Sequence, residues 1–406
     1  MARVKATLGP GTGRSSIKST PRPRDRKSQI VGAARSLFAE KGDSAVSAEE
    51  IAGAVGITAG ALYRHFDGKQ DLLVHGLIDA LDAAAVAVRA EASTDIASLV
   101  DALTKVAAAT RELGVLWGRE AKLLDDEHLA VVRRHFYDVF GVVRRRLAQA
   151  RPDLLNSQTE LMTWCVLAVL TSVSYHHETL TPAVTERLEQ LAISVCTVSL
   201  SPTFGLESSS AVAGMQPRGR RELILNVAAN LFQQRGFSGT TVADIGDRMG
   251  LTGGAIYRYF PGKAEVLAAI VRRAVGALQI GLWQALALAD NSADALDRVL
   301  DAYVSFAVSN PHLVDILLWE VRELPDADLR EARRSEREYI AEWELLLKDL
   351  RPELAADEAR VIVQAVLTVV NDAARTAALR SQPTLAANLG EIGRAMLRAD
   401  HDPQRS

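Results

Sequence analysis

The feature that most constrains the fold of this chain is an internal repeat. Residues 33–69 align without gaps on residues 227–263 at a constant offset of 194, and 15 of the 37 aligned positions are identical. A second block aligns at an offset of 200 and pairs Arg151-Pro152 with Arg351-Pro352. The chain is therefore a tandem duplication, and a prediction made for one copy applies to the other.

The spacing of apolar residues indicates helix almost everywhere outside the two ends and the joint between the copies. Apolar residues recur three and four positions apart over long segments, as in residues 156–178 and 357–380. No long stretch alternates with the period of two that marks a strand. We predict an all-α protein of two tandem copies, each a three-helix N-terminal domain followed by a larger helical domain.

The length of 406 residues exceeds what one compact core usually holds, so we divide the chain into six segments. They are a basic disordered arm (1–28), helix-turn-helix domain 1 (29–75), helical domain 1 (76–200), a linker (201–219), helix-turn-helix domain 2 (220–269) and helical domain 2 (270–400). The linker is predicted from its Ser, Gly and Pro content and its lack of periodicity.

The net charge of −3 hides an asymmetry. Residues 1–28 carry eight arginines and lysines against one aspartate, so they sum to +7 and the rest of the chain sums to −10. A basic arm on an acidic body is typical of proteins that contact nucleic acid. The alternative interpretation is a solvated tail without a partner.

Several functional classes lack their sequence signatures. The chain has no run of 18 uncharged apolar residues and no apolar core after its first basic residues, so we expect neither a membrane-spanning helix nor a secretory signal. Its two cysteines form neither a disulfide framework nor a metal cluster, and we expect a cytoplasmic protein without metal or cofactor. No phosphate-binding loop, nucleophile elbow or paired-carboxylate motif occurs, so we do not expect an enzyme.

The start of each copy has the pattern of a helix-turn-helix. In copy 1 we predict helices over residues 29–40, 47–55 and 59–66. Gly56 supplies the tight turn before the third helix. In both copies a hydroxyl residue with an acidic residue three positions later, at Ser47 and at Thr241, is the capping pattern that begins the second helix.

The third helix has the composition of a helix that enters the major groove of DNA. Small residues at its start allow its backbone to approach phosphates and base edges, and the polar side chains that follow supply donors. The predicted DNA-binding residues are Ser47, Thr58, Ala59, Gly60, Tyr63, Arg64, His65 and Lys69 in copy 1, and Thr241, Thr252, Gly253, Gly254, Tyr257, Arg258, Tyr259 and Lys263 in copy 2. Lys69 and Lys263 are expected to neutralise a backbone phosphate, whereas Phe66 and Phe260 are assigned to the core.

Both segments resemble the DNA-binding domain of the TetR (tetracycline repressor) family of bacterial transcriptional regulators. The resemblance rests on residues 236–263 of copy 2 and on residues 56–69 of copy 1. Copy 1 departs from the family pattern at Asp43, Val46 and Ala48, where the family usually has Phe, Thr and Val.

The resemblance implies a DNA-binding repressor that responds to a small molecule. Members of the family join the DNA-binding domain to a larger helical regulatory domain, which binds an effector and dimerises through two C-terminal helices. Residues 76–200 and 270–400 have the matching length and helical pattern. Effector binding then releases the operator by changing the separation of the two DNA-reading domains.

Two arrangements would supply the pair of DNA-reading domains that the family uses. In the first, the copies pair within one chain, with helices near 157–200 packing against helices near 357–398. In the second, two chains form a homodimer with four DNA-reading domains. A third interpretation, of another functional class, is an interaction scaffold whose helix-turn-helix domains no longer touch DNA.

All five tryptophans lie in the larger helical domains and indicate an effector site there. The predicted ligand-binding residues are Trp117, Arg119, Glu120 and Trp164 in copy 1, and Trp319, Arg322, Glu323 and Trp343 in copy 2. An aromatic wall with an arginine–glutamate pair suits an amphiphilic ligand with an anionic head, such as an acyl-CoA ester or another lipid-like molecule. The alternative is that the tryptophans are ordinary core residues and the charge pairs are structural.

Overall fold

The computed structural model describes residues 23–91, 93, 95–175, 180–200 and 219–399. Within these ranges every regular element is a helix, which confirms the all-α prediction. Residues 1–22 of the predicted arm and residues 201–218 of the predicted linker lie outside the described residues. The segment boundaries given above therefore stay predictions.

Copy 1 contributes nine α-helices from the described residues. They are α1 (Pro23–Lys41), α2 (Ala48–Ala54), α3 (Ala59–Leu62), α4 (Lys69–Ala90), α5 (Ile96–Ala109), α6 (Leu113–Gly118), α7 (Asp126–Ala150), α8 (Asn156–Thr171) and α9 (Pro182–Thr197). Side-chain oxygens cap the N-termini of several of these helices. At α5, for example, Asp95 accepts a hydrogen bond from the amide of Ser98 at 3.3 Å, which satisfies one of the free N–H groups of the first turn.

Copy 2 repeats this order with ten α-helices from the described residues. They are α10 (Arg220–Arg235), α11 (Val242–Arg248), α12 (Gly253–Ile256), α13 (Lys263–Ala287), α14 (Ser292–Ser309), α15 (Pro311–Asp315), α16 (Asp326–Leu350), α17 (Ala356–Arg375), α18 (Ala377–Arg380) and α19 (Leu385–Leu397). A π-helical turn, Ile316–Glu320, follows α15 directly. We refer to residues 29–75 as head 1 and to residues 220–269 as head 2.

The chain divides into two compact units, residues 1–72 and residues 73–406. The first unit contains α1 to α3 and the start of α4. Ile30, Phe38, Ile51 and Leu62 are fully buried in it, so each of its three helices contributes to the core. Phe66 is also buried, which confirms its assignment as a core residue.

The second unit contains two hydrophobic cores. The smaller core belongs to head 2 and the residues that support it, and it includes Phe232, Ile245 and Phe260. The burial of Phe260 confirms the second core assignment made from the sequence. The larger core contains buried residues of both copies, from Leu99 of α5 to Met396 of α19.

Four helices bring the two copies together within the second unit. α17 of copy 2 packs against α8 and α9 of copy 1, and α19 packs against α9. Val361, Val366 and Val370 of α17 are fully buried, because this helix is surrounded by protein on most of its circumference. A largely buried ion pair, from Arg187 of α9 to Glu358 of α17 at 2.9 Å, crosses the same interface.

The first helix starts earlier than the sequence predicted. α1 begins at Pro23, inside the segment 1–28 that we assigned to a disordered arm. Proline is compatible with a first helical turn, because the N–H that it lacks would have no partner there. The arginines and lysines that follow are good helix formers, and their charge alone does not prevent a helix.

The third helix of each head is shorter than the predicted range. α3 ends at Leu62 and α12 at Ile256, four residues before the predicted end in copy 1. Beyond this point the backbone tightens, and the amide of His65 donates to the carbonyl of Leu62 at 2.9 Å. Hydrogen bonds from an amide to the carbonyl three residues earlier, as in a 3-10 helix, are common at helix ends. The composition of the sequence does not distinguish them from an α-helical turn.

One helix of the described residues, α13, is long and apolar enough to cross a membrane by length and composition alone. Its residues Leu267 and Ile270 are buried in the core of head 2. The core helix of a soluble protein passes the same test, so this single helix is weak evidence for a membrane span.

Candidate nucleic-acid interface and ligand cavities

A glycine with positive φ forms the corner of each head. Gly56 has a φ of 69° and Gly250 a φ of 65°, a conformation that residues with a Cβ rarely adopt. The corner sets α3 against α2 and α12 against α11. Thr58 then caps α3, since its hydroxyl accepts a hydrogen bond from the amide of Ala61 at 3.3 Å.

The turn that follows each short helix exposes a tyrosine and an arginine. Tyr63 and Tyr257 are 54% and 56% exposed, although large aromatic side chains are usually buried. Arg64 and Arg258 are exposed as well, and neither makes a hydrogen bond to another described residue. Free donors on an exposed surface are what phosphate and base contacts require.

The other predicted contact residues surround this pair. Thr58, Gly60, His65, Thr252, Gly254 and Tyr259 are exposed, whereas Ala59 and Gly253 are half-buried at the start of their helices. The structure therefore brings the small residues and the polar residues of each head onto one exposed turn and helix. Their contact with DNA stays a prediction.

The two predicted lysines each hold a loop of their own head. Nζ of Lys69 donates to the carbonyls of Asp43 and Val46 at 2.6 and 3.2 Å, and Nζ of Lys263 donates to those of Phe237 and Thr240 at 2.6 and 2.7 Å. Each ammonium thus holds the loop before the second helix, and its contact with a phosphate stays a prediction. Burial lowers the pKa of Lys263, as expected for an ammonium removed from water.

The departure of copy 1 from the family pattern is compensated at this lysine. In head 2 the ammonium of Lys263 lies 4.0 Å from the centre of the Phe237 ring. In head 1 the equivalent residue is Asp43, whose carboxylate lies 3.5 Å from Nζ of Lys69. A cation–π contact is therefore replaced by an ion pair, and the lysine keeps its position.

Ser47 and Thr241 serve as N-caps, as their sequence pattern predicted. The hydroxyl of Ser47 accepts a hydrogen bond from the amide of Glu50 at 3.1 Å. In head 2 the two residues form a complete capping box, because the carboxylate of Asp244 also accepts a hydrogen bond from the amide of Thr241 at 2.7 Å. In head 1 the carboxylate of Glu50 pairs with Lys41 instead.

A cavity of about 230 Å³ lies in the helical domain of copy 1. Trp117 and Trp164 line it, together with Phe136. The Trp117 ring stacks on Phe136 at 4.9 Å, and Phe136 lies 5.1 Å from the Trp164 ring. Two of the predicted ligand residues therefore share one aromatic wall, and their contact with a ligand stays a prediction.

A second cavity, of about 280 Å³, lies in the helical domain of copy 2. Tyr303 and Tyr339 line it, and the hydroxyl of Tyr303 donates to Asn371 at 2.9 Å. Trp343 is fully buried behind these two tyrosines and does not line the cavity. For Trp343 the core interpretation is therefore the correct one.

The predicted arginine–glutamate pairs and Trp319 do not line either cavity. Arg119 forms an ion pair with its neighbour Glu120, which is buried. Trp319 packs between the copies, with its ring 5.8 Å from that of Tyr175 in copy 1. Arg322 and Glu323 are exposed. Adjacent residues on a helix diverge by about 100°, so a tryptophan in the wall does not bring the next charges into the cavity.

Two residues that the sequence analysis missed, Tyr175 and Asp372, line both cavities. Tyr175 follows α8 and Asp372 lies near the C-terminal end of α17, and these two helices pack against each other. No local pattern marks them, because their importance comes from packing across the copies. At the offset of 200 that aligns α8 with α17, Tyr175 corresponds to Arg375 and Asp372 to Ser172, so self-similarity does not mark the pair either.

Both heads match a known family. Residues 30–75 and, separately, residues 224–270 match the family described as bacterial regulatory proteins of the tetR family. Each head is a TetR-family DNA-binding domain. Since the match occurs twice, the identification of a tandem duplication with two TetR-type heads is confirmed.

Relatives within the TetR family align with part of the chain. The HTH-type transcriptional repressor KstR2 of Mycolicibacterium smegmatis is 27% identical over 154 residues, which are 35% of this chain and 73% of that protein. KstR2 of Mycobacterium tuberculosis is 31% identical over 110 residues, and the chain spans about half of its length, 53%. Among solved structures, the TetR-family regulator PfmR of Thermus thermophilus is 22% identical, with a TM-score of 0.40 over 46% of this chain and 99% of that one.

Proposed function

We propose that this chain is a ligand-responsive transcriptional repressor that binds an operator of two half-sites with both heads of a single chain. The two TetR-family DNA-binding domains support the coarser function, a DNA-binding transcriptional regulator. One observation carries the proposal further. The same exposed tyrosine–arginine pair occurs twice, behind the same positive-φ glycine and beside the same loop-holding lysine.

The exposed pairs support DNA contact in both heads. Tyr63 and Tyr257 retain more than half of their accessible surface, and Arg64 and Arg258 have no hydrogen-bond partner among the described residues. A head with a purely structural role would be expected to bury this tyrosine, because burial of apolar surface stabilises the fold. We therefore assign the two pairs to phosphate and base-edge contacts.

The packing of the copies supports a pair of heads within one chain. α8 and α9 of copy 1 face α17 and α19 of copy 2, which are the helices that the duplication makes equivalent. The copies share one continuous hydrophobic core. A joint of about 19 residues also keeps the copies at a high effective concentration.

The two cavities support a largely apolar effector. The cavity of copy 2 has no lysine or arginine among its lining residues, and the one arginine of the copy 1 cavity, Arg375, is paired with carboxylates. An anionic head group, which the tryptophan and arginine pattern suggested, would find no unpaired cation in either lining. We therefore propose that the apolar part of the effector supplies most of its binding energy.

A matched set of arginine variants tests the proposal. Arg64→Ala and Arg258→Ala remove one donor from each head, and Arg334→Ala removes an exposed arginine of α16 as the control. DNA affinity is measured by fluorescence anisotropy on an operator selected from random duplexes, over a range of salt concentrations. We expect each head variant to weaken binding about tenfold or more and to reduce the salt slope by about one.

The alternative functions predict other outcomes. A homodimer with four heads predicts two chains on each operator, which titration of labelled duplex with protein measures directly. An interaction scaffold predicts that all three variants behave like the native chain. Either result would overturn the proposal, and unchanged unfolding curves for the variants exclude loss of structure as the cause.

A further inference from the structure

Copy 2 closes the cavity of copy 1. Asp372 and Arg375 at the end of α17, with Thr376 beyond it, line this cavity opposite Trp117 and Trp164. Arg375 keeps 14% of its side chain accessible and Asp372 keeps 28%. Among the described residues the charged lining of this cavity therefore comes from copy 2, and the cavity is a composite of both copies.

Arg375 is held from several sides. Its Nε donates to Oδ1 of Asp315 at 2.7 Å, and its Nη1 donates to Oδ1 of Asp372 at 3.0 Å. The guanidinium also lies 5.5 Å from the centre of the Trp319 ring. Within the described part of the chain, Nη2 has no hydrogen-bond partner, so it is the donor that a ligand in the cavity can use.

Arg375 belongs to a hydrogen-bonded cluster in which the formal charges balance. Lys122 of copy 1 donates to Oδ1 of Asp315 at 3.2 Å, so the hydrogen-bonded groups are two cations, Arg375 and Lys122, and two carboxylates, Asp315 and Asp372. Burial raises the pKa of Asp372 and lowers the pKa of Lys122, because both groups are removed from water. A charged ligand would leave this cluster with an uncompensated charge, whereas a neutral acceptor can take a hydrogen bond without changing the balance.

Asp315 connects this cluster to head 2. Its Oδ2 accepts a hydrogen bond from Nε2 of Gln233, in α10, at 2.9 Å. The carboxylate of Glu320 accepts another from the backbone amide of Phe237 at 2.9 Å. The residue of head 1 equivalent to Gln233 is Ala39, which has no amide side chain. A connection through this side chain is therefore specific to head 2.

We propose that the cavity of copy 1 is a composite effector site for an uncharged, largely apolar molecule with a hydrogen-bond acceptor that binds Arg375 of copy 2, and that Arg375 transmits its occupancy to head 2 through Asp315 and Gln233. The inference rests on the proposed function, since it names the class of effector and the head that responds. An acceptor that draws Arg375 into the cavity weakens its bond to Asp315, and Asp315 then holds α10 less firmly.

Calorimetry with three probes that share a ten-carbon main chain tests the ligand class. We expect 2-decanone to bind at least about tenfold more tightly than decanoate or decyltrimethylammonium, because only the ketone leaves the charge balance intact. Arg375→Met should remove this site, and Arg360→Met on the same helix should keep it. Equal or tighter binding of decanoate, or an unchanged ketone affinity in Arg375→Met, would overturn the assignment. Should Arg375→Met fail to fold, the comparison of probes on the native chain decides the question.

Hydrogen exchange tests the transmission without any DNA. We expect 2-decanone to increase the exchange of α10 amides about tenfold in the native chain and in Gln234→Leu, the control at the neighbouring exposed position. Gln233→Leu should bind the probe equally well but show less than about a twofold change. Loss of the effect in both variants, or in neither, contradicts the role of Gln233. Since DNA is absent, failure of the chain to bind an operator would refute the proposed function and leave this result standing.

Discussion

Gly56 and Gly250 carry the backbone conformation on which each head depends. Their φ values of 69° and 65° fall in the left-handed region, and no atom lies within 4 Å of the position that a Cβ would occupy. A side chain at either glycine therefore costs free energy through backbone strain and not through a steric clash. A substitution there measures the conformational effect by itself.

We predict that Gly250→Ala lowers the free energy of unfolding of head 2 by about 1–2 kcal/mol, because alanine is strained at positive φ. Gly254→Ala is the matched control, since Gly254 lies within α12 and an added Cβ meets only the Thr252 hydroxyl, at 4.0 Å. Alanine favours a helix, so this control should be neutral or stabilising. Urea denaturation followed by circular dichroism measures both, and equal losses would contradict the assignment.

His312 gives the second unit a dependence on pH. Burial lowers its pKa below the usual 6.5, although Asp315 acts in the opposite direction. The unfolded chain therefore takes up a proton at a pH where the folded chain does not. Stability is lost as the pH falls through about 6.5 and continues to fall until the folded histidine is protonated.

We predict that His312→Gln reduces this loss, so that the difference in unfolding free energy between the variant and the native chain changes steadily as pH falls from about 7 to about 5. The measurement is urea denaturation at several pH values. A difference that stays constant with pH would show that His312 does not titrate in the way its burial implies. The test uses only the change of this free-energy difference with pH, because a constant difference can arise from packing.

Single residues were predictable where their role is local. The caps at Ser47 and Thr241 and the buried Phe66 and Phe260 follow from spacing along one helix, and the structure confirms them. Arg375 and Asp315 are 60 positions apart, and no spacing rule joins them. The arginines predicted to bind an anionic ligand, Arg119 and Arg322, were instead those that stand near a tryptophan in the sequence.

At the level of elements, one lysine holds the loop of each head. In head 2, Nζ of Lys263 donates to the backbone carbonyls of Phe237 and Thr240. A hydrogen bond to a buried or half-buried carbonyl stabilises by about 1 kcal/mol, and a charged donor gives more. The loop between α10 and α11 therefore depends on a residue at the start of α13.

We predict that Lys263→Met destabilises head 2 by about 1–3 kcal/mol and weakens DNA binding as a consequence. Lys348→Met, at an exposed position of α16, is the control and should change neither property. In Arg258→Ala, by contrast, DNA affinity should fall while the unfolding curve stays unchanged. A Lys263→Met chain with native stability and weakened DNA binding would restore the phosphate contact first expected for this lysine.

Helix type and order were predictable because apolar residues recur three and four positions apart over long segments of the chain. Helix ends were less so. The third helix of each head stops at Leu62 and Ile256, and α1 reaches back to Pro23. The hydrogen-bond pattern of a last turn and the tolerance of a first turn for proline depend on backbone geometry that composition does not encode.

At the scale of the whole molecule, the duplication explains most of what the chain contains. It supplies two heads, two cavities and two pairs of C-terminal helices in one polypeptide. Self-similarity in the sequence was sufficient to predict the all-α tandem fold. The sharing of Tyr175 and Asp372 between the cavities was not predictable, because it arises only when two different copies pack together.

The duplication also allows the two halves to diverge. In a homodimer of identical chains both heads must respond through identical side chains. Here Gln233 and Ala39 occupy equivalent positions, and Asp43 and Phe237 occupy another pair. A single chain can therefore read two similar half-sites and couple one head to an effector more strongly than the other.

The solution mass of the free protein and of its operator complex, measured by light scattering, tests the central claim most directly. A chain that pairs its own copies predicts a mass near 43.8 kDa and one chain on each two-half-site operator. A mass near twice that value, with two chains on each operator, would contradict it. In that case the packing of α8 and α9 against α17 and α19 would build a larger assembly with four heads.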